Sequence, residues 1–201
     1  MTGGGQYEAI ILAAGTGSRF GGGKLLAPYR GGILLDPALA TALAAPVRTV
    51  TLVTGADADR VGPAARACAA RLGQKRRLTL VHAADYTEGM GASLRTAAAA
   101  LPPDTAGVFI LLGDMPAIPA GVFAPLIAAL EAGAPAAATV FQGKRGHPAL
   151  IGRALIPTLL DLRGDAGARS ALQGLGPRLA LVEAPDGGVL FDVDAPSDLE
   201  P

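Results

Sequence analysis

Tryptophan is absent from the 201 residues, and only three Tyr and five Phe are present. So few flat rings leave no stacking platform for single-stranded nucleic acid. Neither sign of charge is in excess: 17 Lys and Arg face 17 Asp and Glu, a formal net charge of zero. The basic surplus that neutralises phosphates in a general nucleic-acid binder is therefore missing. One Cys and two His cannot build a disulfide frame or a structural zinc site. No apolar run is long enough to span a bilayer; the longest, 115–130, is broken by Pro116, Pro119 and Pro125. The opening MTGGGQYEA has no basic stretch of the kind a signal peptide carries. These absences predict a cytoplasmic enzyme or binding protein for small molecules, with no nucleic-acid or membrane partner.

What is present alternates between two periodicities. Residues 7–14 (YEAIILAA) form a continuous apolar run ending at glycines, the mark of a strand buried on both faces. Leu35, Leu39 and Leu43 predict a helix, 47–55 a second strand, and Val61, Ala65, Cys68 and Leu72 one face of a second helix. Residues 78–82 are a third strand, Met90, Leu94, Ala98 and Leu101 a third helix, 107–114 a fourth strand as apolar as the first, 122–130 a helix and 136–141 a fifth strand. Strands separated by helices predict βαβ units, hence a three-layer, Rossmann-like α/β fold with a mostly parallel sheet. No linker or repeat interrupts the chain, so 1–201 reads as a single domain, with 7–135 and 136–201 as its two parts. Cys68 belongs to the core on this pattern, and His82, at the end of the third strand, has no assigned role.

Parallel sheets bind ligands beyond the carboxyl ends of their strands, which directs attention to two loops. After the first strand, Gly15-Thr16-Gly17-Ser18-Arg19-Phe20-Gly21-Gly22-Gly23-Lys24 packs five glycines into nine residues, followed by a lysine. Exposed backbone N–H groups and access to positive φ suit an anion nest, and Arg19 and Lys24 add positive charge. The alternative is a flexible surface loop with incidental charges. It is neither a P-loop, since Ser18 and Leu25 break that pattern, nor a dinucleotide fingerprint, since Phe20 stands where glycine is needed. After the fourth strand comes Leu112-Gly113-Asp114-Met115-Pro116. A carboxylate there, facing a phosphate loop, suits a Mg²⁺ ligand; the alternative is an Asp that opens a turn or caps a helix.

Together the two motifs resemble the nucleotidyltransferases of molybdenum-cofactor biosynthesis, whose opening is LA[AG]G.S.RMG..K and whose second motif is LGD.P. Phe20 replaces the usual Met. Further matches follow in order: Gly89-Met90 with Ser93-Leu94, Gly146-His147-Pro148, Gly164-Asp165 with Gly167-Ala168-Arg169, and the closing Asp192-Val193-Asp194-Ala195-Pro196-Ser197-Asp198-Leu199. The later motifs are similar to the cytidylyltransferase-like branch, and Ala14, in place of the glycine usual in guanylyl-transferring relatives, implies CTP.

The resemblance implies transfer of CMP from CTP to the terminal phosphate of a molybdopterin-type cofactor, with Mg²⁺, or Mn²⁺ in its place. It places the nucleotide against Leu12, Ala13, Ala14, Gly15, Gly17, Ser18, Arg19, Lys24 and Ser93, and makes Arg19, Lys24 and Asp114 the catalytic set. Asp192 or Asp194 is the second metal carboxylate; alternation with Phe191 and Val193 would turn both one way on a strand, and Asp192 is preferred. His147, Asp165 and Arg169 fall to the acceptor, His147 in a loop with Lys144 and Arg145, and Asp165 at the start of a helix. A molybdenum hydroxylase or its maturation chaperone is the implied downstream partner. Rival readings are guanylyl transfer, a sugar- or alcohol-phosphate nucleotidyltransferase, and a non-catalytic molybdenum-cofactor chaperone. A dinucleotide-binding oxidoreductase is disfavoured by the broken fingerprint.

Overall fold

The computed structural model describes residues 6–17 and 20–199. Strand β1 (Tyr7–Ala13) is buried along its length apart from half-buried Leu12, as its apolar run, interrupted only by Glu8, requires. A small antiparallel ribbon, β2 (Pro28–Tyr29) with β3 (Gly32–Ile33), precedes helix α1 (Leu35–Ala44). Then follow β4 (Val50–Thr54), α2 (Ala58–Arg71), β5 (Leu78–His82), α3 (Met90–Ala99) and β6 (Gly107–Leu112). The last third holds α4 (Phe123–Glu131), β7 (Ala136–Phe141), β8 (Lys144–Gly152), α5 (Ile156–Leu160), α6 (Ala168–Gln173) and β9 (Leu179–Glu183).

Seven strands form one sheet in the order β5-β4-β1-β6-β8-β7-β9. All neighbours run parallel except where β8 meets β6 and β7. Alternation along β1 sorts its side chains between two layers. Ala9 and Ile11 pack with Leu39 of α1, Ala65 of α2 and Leu126 of α4. Ile10 packs on the other face with Leu94 of α3, Leu159 of α5 and Leu172 of α6. The result is a three-layer α/β fold with a mostly parallel sheet. Cys68 is buried in the first layer, and burial pushes its thiol up to about 11.

The last third departs from the sequence reading. β8 was not predicted, and His147 lies in it rather than in a loop. Two residues with positive φ, Gln142 and Gly143, close a β7–β8 hairpin, the geometry of a tight two-residue turn. The polar opening of β8 and its proline hide its period. The His147–Pro148 bond is cis. Residues 191–194 are not a strand: Asp192 and Asp194 are exposed either side of buried Val193, whose N–H donates to the Asp114 carbonyl. Helix α6 begins at Ala168 with Gly167 before it, so Asp165 does not open it.

One buried charge anchors the far end of β1. Glu8 is fully buried and accepts from Arg48 Nε at 2.6 Å, from the Thr49 N–H at 2.9 Å and from the Thr49 hydroxyl. Arg48 also grips Asp104 through two bonds of 2.8 Å. Stranding a buried charge costs more than deleting it. Arg48→Met should therefore lower the urea unfolding midpoint more than Glu8→Met does. The opposite order would show that Glu8 tolerates isolation.

Candidate active site

β1 and β6 lie side by side in register, Leu12 opposite Leu112. The chains leave the sheet together, and the Gly113 N–H donates to the Leu12 carbonyl at 2.9 Å. A Cβ at Gly113 would stand 3.2 Å from that oxygen and from Leu35 Cδ1, a tight fit that glycine avoids. Asp114 thereby emerges beside Ala14 and Gly15.

The glycine loop folds back on itself. Gly17 has φ +59°, and Gly21, Gly22 and Gly23 are all left-handed, a run that L side chains rarely adopt. The Gly17 carbonyl accepts from the N–H groups of Phe20 at 2.8 Å and Gly22 at 3.2 Å. A Cβ on Gly17 would sit 2.8 Å from Lys24 Cβ. Lys24 is thus laid over the start of the loop, and its Nζ donates to Asp114 Oδ2 at 2.7 Å and stands 3.7 Å from Asp194 Oδ1. The predicted Ser18 and Arg19 lie outside the described residues.

A cavity opens over these strand ends. Leu12, Ala14, Gly15, Ser93 and Asp114 line it, with Tyr86 and Met90 among the other wall residues. Ala13 is buried away from it, in the layer of α1, α2 and α4, and Gly17 and Lys24 are not in its lining. Ser93 is buried in α3, and its hydroxyl has no hydrogen-bond partner among the described residues. Tyr86, which the sequence reading missed, sits against Gly55 and Ala14: a Cβ on Gly55 would be 2.8 Å from Tyr86 Cγ and 2.5 Å from the Ala14 carbonyl. Its only sequence signal is its place just before Gly89-Met90.

Two separated motifs prove to be one contact. The Gly91 N–H donates to the Gly164 carbonyl at 2.8 Å. A Cβ on Gly89, itself at φ +116°, would meet Asp165 Oδ1 at 2.6 Å. Asp165 therefore lines the first cavity, and also a passage shared with His147 and Arg169.

A second cavity adjoins the first at Leu112 and gathers Lys144, Arg145, His147, Arg169 and Asp192. His147 Nδ1 lies 3.3 Å from the Ile110 carbonyl. A carbonyl can only accept, so Nδ1 carries the proton and Nε2 is left as an acceptor in the neutral ring. Burial holds the imidazole below its usual range, outweighing that bond and the nearby Asp114 carboxylate. Asp192, preferred above as the second metal carboxylate, thus lines the cavity of Lys144, Arg145 and Arg169, while Asp194 reaches Lys24. Among the described residues, no three His, Cys, Asp or Glu side chains form a metal cage.

Comparison with known proteins agrees with this geometry. The MobA-like NTP transferase domain matches residues 9–181. The molybdenum cofactor cytidylyltransferase of Escherichia coli is 28% identical over 95% of this chain and 92% of its own. The nicotine blue oxidoreductase of Paenarthrobacter nicotinovorans is 31% identical over 92% of this chain and 90% of its own. The crystal structure of Rv0371c from Mycobacterium tuberculosis superposes with a TM-score of 0.79 at 28% identity, covering 96% of this chain and 95% of that one. The same protein has been solved in complex with manganese, where the TM-score is 0.75 at 27% identity, covering 96% and 95%. With the glycine loop, the acidic tip and the strand order all in place, the chain belongs to the MobA-like NTP transferase family and is an NTP-dependent nucleotidyltransferase.

Proposed function

We propose that this enzyme transfers CMP from CTP to the terminal phosphate of a molybdopterin-type cofactor and releases pyrophosphate. The observation that carries this is the Lys24–Asp114 pair, 2.7 Å apart, whose carboxylate lines the first cavity, which adjoins at Leu112 a second one rich in cations. A terminal phosphate oxygen of the acceptor attacks the α-phosphorus of the nucleotide. The bond to the bridging oxygen breaks, and pyrophosphate leaves with its electrons. A phosphate dianion needs no general base, so the protein's work is positioning and charge stabilisation.

In this reading 7–135 serves the nucleotide and 136–201 the acceptor. Ala14, Gly15 and Ser93 hold the nucleoside, and Lys24, with Arg19, holds the phosphates and the charge growing on pyrophosphate. Lys144, Arg145 and Arg169 attract the anionic end of the acceptor, and the Nε2 of neutral His147 accepts a hydrogen bond from an N–H or O–H group elsewhere on it. Asp165 joins the two sites. Mg²⁺, or Mn²⁺, would be held by Asp114 and a second carboxylate, Asp192 or Asp194. The site already holds a cation in this manner: the Lys24 ammonium lies between Asp114 and Asp194, which fits the oxygen donors a hard cation takes. When bound, the metal supplies charge neutralisation on the phosphates. A cytoplasmic location goes with use of CTP, and a molybdenum hydroxylase or its maturation chaperone is the recipient of the product.

A second reading, redox chemistry of the kind named in one relative, is favoured by the 31% identity to the nicotine blue oxidoreductase. A lysine paired with a carboxylate at a phosphate loop has no evident use in hydride transfer, which favours nucleotidyl transfer. Release of pyrophosphate from each of the four NTPs, with molybdopterin as acceptor, separates the two; reductase activity without pyrophosphate release would select the second.

Three outcomes are expected. Asp114→Ala should cut turnover at least a hundredfold, about 2.7 kcal/mol, with the unfolding midpoint nearly unchanged; activity within threefold of the parent would make Asp114 a turn residue. In equimolar competition CTP should be used before GTP, and Ala14→Gly should narrow the preference by about 10-fold or more, since one methyl group is worth about 1–3 kcal/mol in a pocket. Preference for GTP in the unchanged protein would overturn the cytidylyl assignment. The depressed His147 imidazole stays neutral in the folded chain at pH values where the unfolded chain already binds a proton. Stability is therefore held above about pH 6.5 and falls as pH drops below it, by at most about 1.4 kcal/mol per pH unit. Urea unfolding between pH 7 and 5 should show this slope reduced in His147→Gln; equal slopes would mean that burial does not disfavour the charged ring.

A further inference from the structure

Asp57 stands at the N-cap of α2, where an Asp side chain ordinarily accepts from the first N–H groups of its own helix. Here it makes no such bond. Its Oδ2 instead accepts from the Gly23 N–H at 3.1 Å, 34 residues away. Gly23 is the last of the three consecutive left-handed glycines and the residue directly before Lys24. The guanidinium of Arg60, one turn along α2, faces the same point. It lies 3.8 Å from Asp57 Oδ1 and would be 3.4 Å from a Cβ on Gly23.

We infer that Asp57 is a positioning residue for nucleotide binding: it gives up its helix cap to fix the Gly23 peptide, and through it sets where the Lys24 side chain starts. The inference rests on the nucleotidyltransferase reading and adds a residue to it. Lys24 reaches Asp114 through its side chain; the loop's other described backbone bonds near its turn are internal, from Phe20 and Gly22 to the Gly17 carbonyl. They hold the loop's shape but do not tie it to the sheet layer. The Asp57 bond supplies that tie from the end of β4, the strand beside β1. A carboxylate near a triphosphate is electrostatically costly, and Arg60 offsets that charge. What the loop needs from position 57 is thus an acceptor oxygen at the right reach, not a negative charge.

This separates the role from plain helix capping, because the two demand different side chains. Serine caps a helix as well as aspartate does, but its hydroxyl, one atom shorter, cannot reach Gly23. Asparagine keeps both the reach and the acceptor oxygen.

The test measures binding of CTP, GTP, UTP and ATP, each with Mg²⁺ and without acceptor, by calorimetry, alongside thermal midpoints and Gly23 amide exchange by NMR. Asp57→Ser and Asp57→Ala should weaken the nucleotide that the parent binds by about five- to tenfold, the value of one hydrogen bond. Gly23 exchange should quicken in both. The midpoint of Asp57→Ser should equal or exceed that of the parent. Asp57→Asn should bind the nucleotide at least as well as the parent, having lost the opposing charge. Parent-like binding in the Ser and Ala variants would overturn the inference. So would loss of binding in the Asn variant equal to that in Ala, which would make the charge the active feature. A parent that binds none of the four nucleotides would overturn the nucleotidyltransferase reading itself, and this inference with it.

Discussion

The contact between Lys24 and Asp114 joins residues 90 positions apart, and the arrangement of the site follows from the conditions that permit it. The two groups meet because β1 and β6 are neighbours in register, because Gly113 admits the Leu12 carbonyl, and because Gly17 leaves room for Lys24. Its contribution to stability is small. The side chains keep 14% and 25% of their exposure, so screening lowers the Coulomb gain while desolvation subtracts from what remains. Its consequence is the placement of charge. An ammonium and a carboxylate held together at the glycine loop form a pair that a ligand carrying both charges could separate, each taking a partner of opposite sign. In the proposed reaction, Lys24 would turn to phosphate oxygens, leaving Asp114 free to help hold the metal, which would supply charge neutralisation.

Much of this was legible in the sequence because the residues concerned sit on buried parallel strands. β1, β4, β6 and β7 are buried at nearly every position because both faces of each are covered, and their sequences are mostly apolar, interrupted by Glu8, Thr51, Thr54 and Thr139. The helices of the first two thirds show their buried faces at helical spacing. From these elements and the two loops, the neighbourhood of Ala14, Gly15, Lys24 and Asp114 could be read before any coordinates. β8 could not, because its first five residues, Lys144 to Pro148, are polar, glycine or proline, and only its second half is apolar. β9 was missed because it is an edge strand with mixed exposure, Leu181 being among the exposed large apolar side chains. Asp192 and Asp194 misled for the opposite reason. They alternate with apolar neighbours as strand residues do, yet only Val193 is drawn into the core, with Tyr29 and Leu34. The Val193 N–H donates to the Asp114 carbonyl. Asp57 was invisible as well, since capping preference would have assigned its side chain to its own helix.

The antiparallel strand explains why a second site lies beside the first. In a parallel sheet each strand brings its carboxyl end to the ligand edge, and its amino end points away. β8 reverses that direction next to β6, pairing Ile110 with Ala149 and Gly107 with Gly152. Its early residues therefore reach the edge where β6 ends. Continuing that register carries the strand past Leu112 at His147, and Lys144, Arg145 and His147 arrive at one cavity with Leu112. A wholly parallel sheet would have sent these side chains to the opposite edge. The reversal places an anion-attracting surface next to Asp114 without a second domain. The hairpin turn at Gln142 and Gly143 is thus as much a condition of the proposed two-substrate reaction as the glycine loop: one brings the acceptor's cations to the edge, the other brings the nucleotide's.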